Sequence, residues 1–212
     1  MNDGILWAAG VDIPATAGQA RVPRNLNPAH VINLSIEAAG ACAPEQFGVL
    51  RDAIDQATRA GSVVVSAAGN KTRDAANVTP ASCPGSITVA ASDTRGFHAS
   101  RYSNFGVRVD VLAPGGDVAR DDDMDGREDG IWSAVKPGPG NETGIASKNG
   151  TSMAAPHVSG VIALGMARMP ELQRKPALVL QRLKASLRPI PSGACPQPCG
   201  IGMLDAEKFV AP

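Results

Sequence analysis

The stretch from Gly150 to Gly160 is Gly-Thr-Ser-Met-Ala-Ala-Pro-His-Val-Ser-Gly, and it places a serine where a helix is expected to begin. Glycine allows a tight entry into such a helix, and Pro156 lies in its first turns, where proline is tolerated. The Ser152 hydroxyl then lies where helix N–H groups and the positive end of the helix dipole converge. This position suits a nucleophile whose substrate develops an oxyanion. On spacing alone, however, an N-cap role for Ser152 or Thr151 is the simpler explanation.

Apolar strands alternate with helices around this stretch. Apolar runs predict four strands, and apolar residues at helical spacing predict three helices. The predicted strands are 31–36, 62–67, 87–90 and 109–113, and the predicted helices are 47–57, 152–169 and 180–187. Uninterrupted apolar strands separated by helices favour an α/β fold with a mostly parallel sheet. In such sheets the chemistry takes place beyond the carboxyl ends of the strands.

The composition excludes several classes of protein. The 212 residues are enough for one domain with a sizeable core, and 43% of them are hydrophobic. Lys plus Arg and Asp plus Glu each number 20, so the chain lacks the positive charge of a nucleic-acid binder. No apolar run is long enough to span a bilayer. The sequence therefore predicts a globular protein with neither a nucleic-acid nor a membrane partner.

A Gly-Asn turn follows the second predicted strand. Residues 67–70 are Ala-Ala-Gly-Asn, which places a short amide donor at the rim of the sheet. Taken alone, this pattern is typical of a turn that needs a positive φ angle.

Residues 150–160 resemble the nucleophile segment of the subtilisin-like serine proteases, the subtilases of peptidase family S8. Four further segments resemble this family in the expected order, namely 31–35, 67–70, 102–106 and 110–115. The similarity extends from residue 2 to about residue 207 and is closest to secreted bacterial subtilases with disulfides. It implies a subtilisin-like, doubly wound sheet with flanking helices, and a secreted or periplasmic protein.

The resemblance implies catalytic roles for two residues. Ser152 would attack the scissile peptide carbonyl and form an acyl-enzyme. Asn70 would donate its side-chain amide to the resulting oxyanion, together with the backbone N–H of Ser152.

The resemblance also implies residues that bind polypeptide substrates. The backbone of Ser35 and Ile36 would pair with an extended substrate as an added strand, and Ala68 and Gly69 would line the same cleft. Glu37 occupies a position where the family most often has glycine. We therefore expect the primary pocket to shift from apolar toward basic or polar side chains.

A serine hydroxyl is a weak nucleophile without a base, and the base needs an orienting carboxylate. Subtilases supply them from an Asp-Ser/Thr-Gly string and a His-Gly-Thr-like string upstream of the serine, and neither string occurs in these 212 residues. His157 would lie about 140° around the helix axis from Ser152, too far to take its proton. We expect His157, His30 and His98 to have structural roles.

Residues 2–9 match the helix that follows the third strand of the family. Strands one to three, with the catalytic Asp and His, are therefore expected upstream, and residues 1–212 would form a single partial catalytic domain, roughly its C-terminal two-thirds. The missing N-terminal part would be a partner of this chain, and residues 31–36 would form an apolar edge of the sheet.

The alternative function is that of an inactive truncated fragment or a calcium-binding pseudoprotease scaffold. A hydrolase of another α/β family is disfavoured. Its serine would normally lie in a Gly-x-Ser-x-Gly motif, and this chain has Ala154 where the second glycine would be.

Residues 121–130, Asp-Asp-Asp-Met-Asp-Gly-Arg-Glu-Asp-Gly, fit the pattern D-x-D-x-D-G-x-x-D. Carboxylates at alternate positions followed by glycine let the backbone wrap a hard cation. Trp132 stands where an EF-hand would have its bidentate glutamate. We therefore expect an isolated structural Ca²⁺ loop, in an insertion at about 115–131, rather than a solvated acidic loop. Its ligands would be Asp121, Asp123, Asp125, Asp129 and the Arg127 carbonyl.

The four cysteines suggest disulfides and an oxidising compartment. The favoured pairs are Cys42–Cys83 and Cys195–Cys199. The alternative is a zinc site, although Cys-x₃-Cys is an unusual spacing for zinc ligands.

Overall fold

The computed structural model describes residues 1–13, 15, 22–139 and 144–211, and a parallel sheet lies at its centre. The strands are β1 (Val31–Leu34), β2 (Ala38–Ala39), β3 (Val63–Ala67), β4 (Val78–Thr79), β5 (Ser86–Ser92), β6 (Val111–Pro114), β7 (Ile131–Ala134), β8 (Ile145–Lys148) and β9 (Gly202–Met203). The central sheet has the order β1-β3-β5-β6-β9, and each neighbouring pair is parallel. The pairs β2–β4 and β7–β8 form two separate antiparallel ribbons. The predicted α/β fold with a parallel sheet and flanking helices is confirmed.

Five α-helices are found among the described residues, in addition to the strands. They are α1 (Asn2–Ala8), α2 (Pro44–Arg59), α3 (Thr151–Arg168), α4 (Pro176–Ser186) and α5 (Ala206–Val210), with 3₁₀ turns at Ala75–Asn77 and Pro170–Leu172. All three predicted helices are present. Two of them begin three or four residues earlier than predicted, at Pro44 and Pro176, because proline's missing N–H costs nothing in the first turn of a helix.

The side chains of β3 alternate between two apolar layers, and all five residues of this strand are buried. Val63 and Val65 belong to the layer that contains Ile162 of α3. Val64 points into the opposite layer, which contains Ile54 of α2. This period of two explains why an uninterrupted run of valines forms a central strand, since each face of the sheet is covered.

Strand β1 lies at one edge of the sheet and, among the described residues, pairs only with β3. Helix α3 packs against this strand, and the Ser159 hydroxyl donates to Asn33 Oδ1 at 3.0 Å. The prediction of an edge strand here is confirmed, although the strand ends at Leu34. Residues 35–37 leave the sheet, and their backbone is therefore free of β3.

Both predicted disulfides are present, Cys42–Cys83 and Cys195–Cys199, and no described cysteine is free. The structure thus agrees with disulfides, the favoured interpretation of the four cysteines. The first bridge closes a loop of 41 residues, for which chain entropy gives about 4 kcal/mol of stabilisation. In the described part of the chain, no helix is long and apolar enough to cross a membrane.

Candidate active site

The first turn of α3 brings Ser152 to the carboxyl end of β1. The Ser152 hydroxyl donates to the Ser35 carbonyl at 3.3 Å, and the Ser35 hydroxyl donates back to the Ser152 carbonyl at 3.0 Å. Gly150 caps this helix without a side-chain hydrogen bond, at a φ of 150° that favours glycine. The capping explanation for Ser152 is therefore wrong, because its hydroxyl does not satisfy a helix N–H.

Thr151 connects the serine helix to Asn70. The side-chain oxygen of Asn70 accepts the Thr151 N–H at 2.9 Å and the Thr151 hydroxyl at 3.1 Å. The same hydroxyl accepts the Gly69 N–H at 3.0 Å. Because the Asn70 oxygen is held by Thr151, the Asn70 amide nitrogen remains as the donor of that side chain. The geometry thus brings the predicted nucleophile and the predicted oxyanion donor together.

A buried asparagine that sequence reasoning missed holds the turn that carries Asn70. The side chain of Asn104 donates to the Ala68 carbonyl at 2.8 Å and accepts the N–H groups of Lys71 and Arg73, both at 3.0 Å. Its backbone N–H also donates to the Gly69 carbonyl at 2.9 Å. The signal for it in the sequence is its place in residues 102–106, a segment that resembles the family.

None of the three histidines serves Ser152. His98 is buried and bonds through Nε2 to the Asn104 carbonyl at 3.2 Å. Burial lowers its pKa, an effect that this backbone hydrogen bond opposes. His157 bonds through Nδ1 to the Met153 carbonyl at 2.8 Å, and His30 immediately precedes β1. In the described part of the chain, the Ser152 hydroxyl has no hydrogen bond to an imidazole or a carboxylate.

A cavity of about 410 Å³ opens next to Ser152. The ribbon β7–β8 lines one side through Trp132, Ser133 and Lys148, and the first turns of α3 line the other through Ser152 and His157. This space could admit a further side chain or one end of a substrate to the serine.

Glu37 contacts the turn that carries Asn70. Its Oε2 accepts the Asn70 N–H at 2.8 Å, so the carboxylate bridges residues 35–37 and the turn at 68–70. Ile36 beside it is 45% exposed. The predicted substrate-binding residues Ser35, Ile36, Glu37, Ala68 and Gly69 therefore lie on two adjacent segments next to Asn70.

Comparison with known proteins identifies the family. The model of the subtilase family, Peptidase S8, matches residues 3–200. The chain belongs to the subtilase family. This agrees with the predicted resemblance and with the placement of the residues around Ser152.

Curated relatives of this subtilase chain include bacterial proteases. An extracellular protease of Xanthomonas campestris pv. campestris is 39% identical over 211 residues, which are 98% of this chain and 32% of the relative. An extracellular basic protease of Dichelobacter nodosus is 38% identical over 164 residues, 77% of this chain and 24% of the relative. The chain thus spans about a third or less of these relatives.

Solved structures of similar proteins share the fold. A protease of Pseudoalteromonas arctica has a TM-score of 0.81 and 37% identity, covering 99% of this chain and 57% of that one. A cold-adapted subtilisin-like serine proteinase has a TM-score of 0.69 and 25% identity, covering 97% of this chain and 60% of that one. The α/β sheet described above is therefore the subtilisin-like sheet.

The acidic loop of this subtilase chain brings three of the predicted metal ligands together. Asp121, Asp123 and Asp125 are exposed, and one carboxylate oxygen of each lies within 4.8 Å of the others. Asp129, also a predicted ligand, is not part of this group of three, and its carboxylate accepts the Asp122 N–H at 2.7 Å. The Arg127 N–H donates to Asp125 at 2.8 Å. Three converging carboxylates fit a hard cation.

Two arginine side chains, Arg95 and Arg120, form ion pairs with the neighbouring Asp122. Hydrogen bonding from Arg120 is the main cause that lowers the Asp122 pKa, and Arg95 adds to it. Asp122 is therefore not a candidate ligand, in keeping with its position between the alternating aspartates.

Proposed function

We propose that this chain carries the nucleophile and oxyanion donor of a serine endopeptidase. The observation that supports this most strongly is the chain of hydrogen bonds Ser152 helix–Thr151–Asn70. It supports the proposal because Thr151 ties the first turn of the helix that carries Ser152 to the side chain whose amide would donate to the oxyanion. Extended polypeptides would be the substrates, since residues 36–37 have no strand partner among the described residues and would pair with an added strand.

The reaction follows from these positions. Ser152 Oγ attacks the peptide carbonyl while a base accepts its proton. The carbonyl oxygen becomes an anion that the Ser152 N–H and the Asn70 amide stabilise, because they are fixed before charge develops. Return of the proton to the leaving amine gives an acyl-enzyme on Ser152, and water then releases the acid by the reverse sequence.

The base and its orienting carboxylate would come from residues outside this chain. The open edge of β1 can accept a parallel strand, because its backbone groups on that side have no strand partner among the described residues. Helix α3 beside it exposes a stripe at His157, Gly160 and Leu164, and Leu164 is 60% exposed. A strand on β1 and a helix on this stripe would cover both surfaces next to Ser152.

The test of this function is complementation. The full chain is co-expressed with a subtilase segment that carries the Asp-Ser/Thr-Gly and His-Gly-Thr-like strings, and release of p-nitroaniline from peptide anilides is measured. We expect hydrolysis with both parts, none with Ser152→Ala, and unchanged hydrolysis with the exposed Ser100→Ala as the matched control. A folded, stable complex of both parts without hydrolysis would support the inactive scaffold instead.

The protein is also proposed to be secreted or periplasmic. Two relatives are named as extracellular, and the two disulfides are typical of an oxidising compartment.

We further propose that the loop at 121–129 binds a structural Ca²⁺ ion through Asp121, Asp123 and Asp125, with Asp129 and the Arg127 carbonyl as further oxygens. Binding to the folded state alone should stabilise it. We expect millimolar Ca²⁺ to raise the melting temperature by about 3 °C or more. Asp123→Asn should remove this shift, whereas Glu128→Gln in the same loop should keep most of it. An unchanged melting temperature would argue for a solvated acidic loop.

A further inference from the structure

A carboxylate lies where β1 and β3 diverge, next to Asn70. The two strands are parallel, with Leu34 opposite Ser66, and their pairing ends there on the β1 side. Glu37 reaches across the gap and accepts the Asn70 N–H through Oε2 at 2.8 Å. The charge of Glu37 is thus held next to the residue that would bind the oxyanion.

The position of this carboxylate depends on Gly69. A side chain there would overlap Glu37 Oε2 and the Asn104 amide, and the backbone has a φ of 102°, which favours glycine. Glycine at 69 therefore leaves the space that the Glu37 carboxylate occupies.

The carboxylate is available to a ligand. Glu37 is exposed, and in the described part of the chain it forms no salt bridge. A carboxylate has about four lone-pair sites on its two oxygens, and the Asn70 N–H uses one of them. A cation can therefore bind without displacing the bond to Asn70.

We propose that Glu37 makes the cleft select polypeptides with a cationic side chain, that of Arg or Lys, on the acyl side of the scissile bond. This inference rests on the proposed function of the site. A cationic side chain in the gap would pair with the carboxylate. An apolar side chain there would remove water from the charge and provide no partner, which costs free energy.

The test uses the full chain and needs no hydrolysis. Benzamidine, a cation, and benzamide, its neutral analogue, are titrated into ¹⁵N-labelled protein. The Asn70 amide resonance reports directly, because this N–H is bonded to Glu37. We expect saturable shifts at Asn70 with benzamidine and much smaller ones with benzamide. Glu37→Gln should weaken benzamidine binding about threefold or more, as for an exposed ion pair, and Glu45→Gln on α2 should not change it.

Equal shifts with the two probes would overturn the proposal, as would unchanged benzamidine binding by Glu37→Gln or shifts confined to the acidic loop at 121–129. The outcome is separate from the proposed function. Benzamidine bound at Glu37, without hydrolysis by the complemented protein, would leave the cation site standing and reject the protease function.

Discussion

Replacing Asn70 with alanine is expected to lower kcat of the complemented protein about 10²–10³-fold, the range known for loss of such a donor in subtilisin. KM should change little, because the amide acts on the oxyanion and not on the uncharged substrate. Steady-state hydrolysis of a peptide anilide measures both constants. Thr151 supports the donor role of Asn70, because it holds the side-chain oxygen of Asn70 and leaves the nitrogen to donate.

Two further variants separate charge stabilisation from folding. Asn70→Asp keeps an oxygen for the Thr151 N–H but replaces the donor, so its kcat should fall as far as that of Asn70→Ala. Asn77→Ala removes an exposed asparagine side chain and serves as the matched control. A kcat for Asn70→Ala within threefold of the parent would contradict the assigned role.

Replacing Asn104 with alanine is expected to destabilise the chain by about 3 kcal/mol or more. The change leaves the buried Ala68 carbonyl and the partly buried N–H groups of Lys71 and Arg73 without their partner, and an unsatisfied buried group costs about 1–3 kcal/mol. Denaturant unfolding of the chain alone measures this, with Asn77→Ala again as the control. Asn104→Asp should also destabilise the chain, because it keeps both acceptor bonds but buries a carboxylate against the Ala68 carbonyl. A loss below about 1 kcal/mol would show that the turn at 68–73 is held by other contacts.

The central strands could be predicted from the sequence because β3 and β5 are buried at every residue. Such strands appear as uninterrupted apolar runs, and β3 is the clearest case. The ribbon β7–β8 was missed because its residues Ile131–Ala134 are mostly exposed and carry no apolar alternation. Strand β9 was missed because it has only two residues, one of them Gly202. Short and exposed strands are determined by tertiary contacts, which a local pattern does not contain.

Most residues of the candidate site could be predicted from the sequence, but the contacts between them could be predicted only in part. Ser152 and Asn70 were identified from segments that match a family, yet they are 82 positions apart in the sequence. Their link through Thr151 depends on how α3 packs beside the sheet. Asn104 was missed for the same reason, because its partners at 68–73 are more than 30 positions away and no sequence pattern pairs them. Glu37 was expected to alter the pocket, whereas its bond to Asn70 became visible only in the structure.

We propose that Ser152 is a nucleophile whose base lies outside these 212 residues, and labelling with a fluorophosphonate probe is the sharpest test of this proposal. The probe reacts with a serine only when a base activates the hydroxyl. We expect no labelling of the chain alone, labelling after addition of the segment that carries the Asp and His strings, and none with Ser152→Ala. Labelling of the chain alone at Ser152, or equal labelling of the parent and Ser152→Ala in the complemented protein, would contradict it.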